Sequence, residues 1–124
     1  MYTQKVMEAF QNPKNVGEIQ DYDGMGMIGS EACGDIMQVF IKVENGVIAD
    51  AKFKTFGCAA AIATSSTATE MIKGMTVDEA LEVTNKKVIE VLGGLPPQKI
   101  HCSVLAEQAI KAAIEDYKKR SSHK

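Results

Sequence analysis

The side chains that could do chemistry are three cysteines, a histidine and an aspartate. Cys33 stands in Glu31-Ala32-Cys33-Gly34-Asp35, Cys58 in Phe56-Gly57-Cys58-Ala59, and Cys102 follows Lys99-Ile100-His101. A thiolate is a nucleophile and a soft metal ligand, and Asp35 and His101 add a carboxylate and an imidazole. That donor set is compatible with iron–sulfur or zinc, and thiolates also select Cu(I). The paired C-x-x-C knuckles of a purely structural zinc site are absent. Five donors exceed what one four-coordinate centre uses, which suits a ligand that is assembled, exchanged and released.

Each cysteine falls at a junction between predicted elements, whereas a free cysteine used as a small hydrophobe more often sits inside one. Gly34 and Gly57 beside two of them let backbone approach a ligand closely. Taken singly, each residue has a duller role: a packed thiol, a turn-forming Asp35, a hydrogen-bonded His101, a solvated Lys99. Joint placement is what points to a metal or redox site. His123 lies in a polar tail and is given no role. The seven methionines are scattered and read as core filler.

The elements that must position these groups can be read from pattern. Tyr2 to Phe10 has Val6, Met7 and Phe10 at helical spacing and stops before Pro13. Asn12-Pro13-Lys14-Asn15-Val16-Gly17 is a turn-rich connector. The glycines of 24–29 suggest a flexible lead into a strand. Ile36–Val43 and Val47–Phe56 read as strands joined by a hairpin at Glu44-Asn45-Gly46. Ala59–Lys73 reads as an Ala/Ser/Thr-rich helix closed by Gly74. Thr76-Val77-Asp78-Glu79 is a capping box opening a helix to about Val83, followed by a helical segment over 84–92. After Gly93-Gly94 and a stiff Pro96-Pro97 loop, the last helix is expected over 103–120, with 121–124 a disordered tail. Strands first and helices later argue α+β with an antiparallel sheet.

Length and charge bound the rest. At 124 residues one domain spanning 1–124 is expected, and 14 Lys+Arg against 16 Asp+Glu leave no basic field for nucleic acid. No apolar run reaches a membrane span and Met1–Lys5 does not open a signal peptide, so no membrane association and a reducing cytoplasm are expected. Three cysteines cannot all pair within one chain.

The residues also carry a resemblance. Asn12–Gly17, Ala32-Cys33-Gly34-Asp35, Phe53-Lys54-Thr55-Phe56-Gly57-Cys58, and Leu95–Tyr117 with its Leu-Pro-Pro, Lys-Ile-His-Cys-Ser and Leu-Ala-Glu elements strongly resemble the IscU family of iron–sulfur cluster assembly scaffolds. That family is also the N-terminal domain of NifU. The resemblance covers the chain from about Val6 to Lys119. It implies a small antiparallel sheet of about three strands packed by several helices, with a long C-terminal helix and the ligands at one exposed end. It implies that Cys33, Cys58 and Cys102 hold the nascent cluster, with His101 or Asp35 as a further ligand. Cys102, on a mobile loop, matches the family's persulfide acceptor. Asp35 matches the residue associated with iron entry and cluster lability, and Lys99 the basic residue near the thiols. Leu95, Pro96, Pro97, Gln98 and Lys99 overlay the segment gripped by an Hsp70-type chaperone, although Gln98 replaces a common aliphatic residue.

The implied function is that of a non-enzymatic scaffold building a labile [2Fe–2S] cluster, or [4Fe–4S] when two pair in a homodimer. Its sulfur comes from a cysteine desulfurase, with ferredoxin, a frataxin-like protein and Hsp70/J-type chaperones as further partners. Apo iron–sulfur proteins receive the product, and zinc is expected to fit the same ligands. A zinc-containing sulfur-relay protein is the alternative, disfavoured by the lack of a long insertion between Cys58 and the Pro-Pro loop. A cysteine hydrolase is weaker still, because His101 adjoins Cys102 and the other histidine lies in the tail.

Overall fold

The structure is a computed structural model. It describes residues 3–30, 35–56, 59–95 and 100–122, with the backbone alone of Ser30, Asp35, His101, Cys102, Ser121 and Ser122. In chain order the described elements are α1 (Gln4–Gln11), β1 (Gly24–Ser30), β2 (Asp35–Glu44), β3 (Val47–Phe56), α2 (Ala59–Ile72), α3 (Val77–Leu81), α4 (Asn85–Leu92) and α5 (Ile100–Ser122). The strands form one antiparallel sheet in the order β1-β2-β3. This is the expected α+β class.

Local chemistry sets several boundaries. Asn45 and Gly46 take φ of 55° and 78° between the paired residues Glu44 and Val47, the two positive angles of a type I′ hairpin. The capping box forms in full, with Glu79 N–H donating to Thr76 Oγ1 and Thr76 N–H donating to Glu79 Oε1. Gly93 closes α4 in the left-handed region at φ 81°.

One face of the sheet is the core. Met37, Val39 and Ile41 of β2 and Ala51 and Phe53 of β3 are buried beneath α2 and α5. Helix α2 lies deep: Ala60, Ala61, Ala63, Thr64, Ser65, Ser66, Ala68 and Thr69 are all buried. Small side chains let it approach α1, α5 and β3 at once. Its hydroxyls are satisfied within the helix, Thr64 donating to the Ala60 carbonyl, Ser65 to Ala61 and Thr69 to Ser65, each at 2.7 Å.

Three expectations are corrected. The glycines of β1 are not a flexible lead but a packing surface. A Cβ on Gly24 would lie 2.2 Å from the Ala113 carbonyl oxygen, and one on Gly26 would lie 2.4 Å from that of Ala109. Only glycine lets α5 backbone come so near the strand. The last helix starts at Ile100, not Ser103, so His101 and Cys102 lie in its first turn rather than on a loop before it. Ser103 is buried inside the helix, its hydroxyl donating to the Ile100 carbonyl at 2.6 Å. At its other end α5 continues to Ser122, two residues past the expected stop at Arg120.

Candidate functional site

The site is best located from the chain segments that lead to it. The last rung of the β1–β2 ladder pairs Ser30 with Asp35, so residues 31–34 are entered and left at one end of the sheet. The next rung pairs Ile36 with Phe56, so residues 57–58 depart from β3 at that same end before α2 begins at Ala59. Thr55 holds this end closed, its hydroxyl donating to the Ile36 carbonyl at 2.6 Å.

Helix α5 runs antiparallel to β1 along the core face. Gly24 faces Ala113 and Tyr117, and Gly26 faces Ala109, Ala112 and Ala113. Two strand residues advance about 6.7 Å and four helical residues about 6 Å, so the two elements keep step. That direction carries the N-terminal half of α5 toward the end of the sheet where Ser30 and Asp35 pair.

Of the sequence-predicted site residues, Asp35 is the first residue of β2, and His101 and Cys102 are the second and third of α5. Cys33, Cys58, Pro96, Pro97, Gln98 and Lys99 lie outside the described residues. Leu95 is half-buried and packs against the core. Among the described residues no three His, Cys, Asp or Glu side chains could hold a metal, a set that excludes the side chains of all five proposed donors.

The surface around the sheet end is apolar on the outer face. Phe56 is 80% exposed beside its ladder partner Ile36, and Met27 is also exposed. Further back on that face charge returns, with Lys54 paired to Glu18 and Lys42 to Asp21 and Asp23.

The Asn12–Gly17 connector turns out to brace the β3–α2 junction that holds Cys58 in sequence. Asn15 O accepts from Phe53 N–H and Phe53 O accepts from Gly17 N–H, at 2.8 and 2.9 Å, covering the open edge of β3. On the helix side Lys14 N–H donates to Ser66 Oγ at 2.8 Å. The Asn15 amide, with φ 67°, donates to Thr69 Oγ1 at 3.1 Å and Glu70 Oε2 at 3.0 Å. The Asn15 hydrogen bond, aided by Lys73 and Lys14, holds the Glu70 carboxyl below its ordinary pKa against the opposing effect of burial.

Residues 1–124 match the NifU-like N terminal domain as a family model. The chain belongs to that family. It is 60% identical over 117 residues to iron–sulfur cluster assembly scaffold protein IscU 1 of Archaeoglobus fulgidus, covering 94% of this chain and 76% of that one. It is 58% identical over 121 residues to the IscU scaffold protein of Azotobacter vinelandii, covering 94% of each. The crystal structure of a NifU-like N-terminal protein from Brucella abortus superposes with a TM-score of 0.76 at 20% identity, covering 94% of each chain. At that identity the likeness carries the fold alone.

Within this NifU-like fold, sequence reasoning missed Gly24, Gly26 and the connector's bracing role. The signal for the glycines was their spacing of two inside a strand pattern, which puts both on one face. Asp116 was missed as well: its carboxylate accepts from Met25 N–H at 3.0 Å and from Arg120 Nε at 3.0 Å.

Proposed function

We propose that this protein is a non-enzymatic scaffold on which iron–sulfur clusters are built and from which they pass to apo-proteins. The support from the structure is that β1 ends and β2 begins at the end of the sheet where β3 ends, and that α5 runs antiparallel to β1 so that its N-terminal half is directed toward that end. The segments that follow or begin there are 31–34, 57–58 and the first turn of α5. Cys33, Cys58 and Cys102 belong to those segments in sequence, one to each, with Asp35 and His101 beside them. Relatives at 58–60% identity that are named as such scaffolds support the same reading.

In this account the three thiolates hold iron, with Asp35 or His101 completing a site that stays exchangeable. Cys102 accepts sulfur from a cysteine desulfurase as a persulfide. Reducing the persulfide breaks its S–S bond and yields sulfide and a free Cys102 thiolate, and each such step takes two electrons. Ferrous ions passing to the ferric state supply part of them, and a ferredoxin supplies the remainder. The product is [2Fe–2S], and pairing two protomers with further reduction gives [4Fe–4S]. Lys99 would favour thiolate at Cys102. An Hsp70/J-type chaperone pair contacting 95–99 and a frataxin-like protein are the further partners. At Leu95, which packs on the core, chaperone capture must compete with packing. The working compartment in this account is the cytoplasm. Among the described residues no helix is long and apolar enough to cross a membrane.

Anaerobic reconstitution with desulfurase, iron and reductant tests the assignment. Wild type is expected to develop visible cluster absorption, and Cys33→Ala and Cys58→Ala each to lose it. Normal cluster yield in either variant would sink the ligand assignment. A zinc sulfur-relay protein would instead stay colourless.

A further inference from the structure

The contact between α5 and β1 is close but smooth. Gly24 and Gly26 present no side chains, and the helix meets them with Ala109, Ala112, Ala113 and Tyr117. Such a seam brings backbones together, and at the strand itself small residues leave little side-chain interlock, the larger Leu105, Ile110 and Ile114 of α5 being buried in the core. A polar pin crosses it. Met25 N–H, on a strand at the sheet's edge, donates to the Asp116 carboxylate at 3.0 Å. Asp116 is itself held by Arg120 Nε, one helical turn on. The Arg120 guanidinium lies 4.7 Å from the Tyr22 ring centroid, and Tyr22 stacks at a tilt on Phe40 of β2.

We propose that Asp116 is a positioning residue: it fixes the axial register of α5 on β1 and thereby where the first turn of α5, bearing His101 and Cys102, meets the strand ends. The proposal rests on the reading of those two residues as cluster ligands. A slip of one residue along a helix is about 1.5 Å, whereas metal–ligand distances tolerate about 0.2 Å. A pin at the far end of a rigid helix is therefore felt at the ligands. The salt bridge from Lys118 to the exposed Asp78 also touches α5, but it contacts a different helix and does not set this register.

The test uses the full chain with Co(II) alone as probe, at a temperature where circular dichroism shows each variant folded. Nuclear Overhauser contacts between Gly26 Hα and the amides of Ala109 and Ala113 report the register without metal. Thiolate-to-cobalt absorption reports the site. Asp116→Ala is expected to change those contacts and weaken Co(II) binding at least about tenfold, the usual scale for losing a supporting interaction around a metal. Asp116→Asn, which keeps an oxygen for Met25 N–H, and Asp78→Ala are both expected to stay within about threefold of wild type, well below that scale. Wild-type contacts or wild-type cobalt affinity in folded Asp116→Ala would overturn the proposal. If Asp116→Ala does not fold, Arg120→Leu, which leaves Asp116 in place but unsupported, must weaken cobalt binding or the proposal fails. Should wild type itself give no thiolate–cobalt absorption, the ligand reading falls, and the Gly26 contacts alone then decide whether Asp116 sets the register.

Discussion

Replacing Asn15 with alanine is the sharpest test of how the Cys58 junction is braced. The substitution removes two amide hydrogen bonds, to Thr69 Oγ1 and to the Glu70 carboxylate. A neutral hydrogen bond contributes about 1 kcal/mol net and one to a charged group about 1.5–3 kcal/mol, so exposure at Glu70 favours the lower end. Alanine must also hold φ 67°, which costs about 1 kcal/mol more than asparagine tolerates there. The expected total is about 3–4 kcal/mol, read by urea denaturation at pH 7. Asn15→Gly separates the terms: it relieves the backbone strain but not the lost bonds, so it should cost about 1 kcal/mol less than alanine. The penalty is also pH-dependent. Glu70 is depressed in the folded state, so its contribution is full above the unfolded carboxylate pKa and disappears as pH falls through the folded one. The alanine penalty should therefore shrink in acid, and the Glu70 carboxyl, followed by nuclear magnetic resonance, should titrate higher in the variant. A loss under about 0.5 kcal/mol, which is the range of ordinary surface substitutions, or an unmoved Glu70 would refute the brace.

Thr76→Ala breaks the capping box and should cost about 1 kcal/mol, read by the same urea titration. Phe56→Lys should leave stability within about 0.5 kcal/mol, because this ring is 80% exposed; a loss above 2 kcal/mol would show that the outer face is covered in solution. Asp35→Ala should slow cluster transfer to an apo-ferredoxin, followed by absorption, and an unchanged rate would remove its proposed part in lability.

Legibility of the fold tracked how local each cause was. The Asn45-Gly46 turn and the Thr76/Glu79 box are written in adjacent residues, and both formed as expected. The start of α5 lies three residues before the expected Ser103, whose buried hydroxyl bonds back to the Ile100 carbonyl inside the helix. Gly24 and Gly26 looked loose because what fills the space above them comes from residues 109–117, far along the chain. The connector was legible as a turn but not as a brace, since its partners lie on α2 and β3. For the site, the sequence pattern puts the cysteines at junctions, but Cys33 and Cys58 lie outside the described residues and Cys102 lies in the first turn of α5. The roles of individual donors came from family resemblance and stand as proposals.

The three thiolates are proposed to hold a cluster rather than a single resident metal. Anaerobic purification followed by iron, zinc and acid-labile sulfide analysis, with absorption on the same sample after desulfurase-driven loading, tests that proposal most directly. Iron and sulfide in equal amounts with visible absorption are expected, both lost in Cys58→Ala. Zinc without acid-labile sulfide, unchanged by loading, would contradict it.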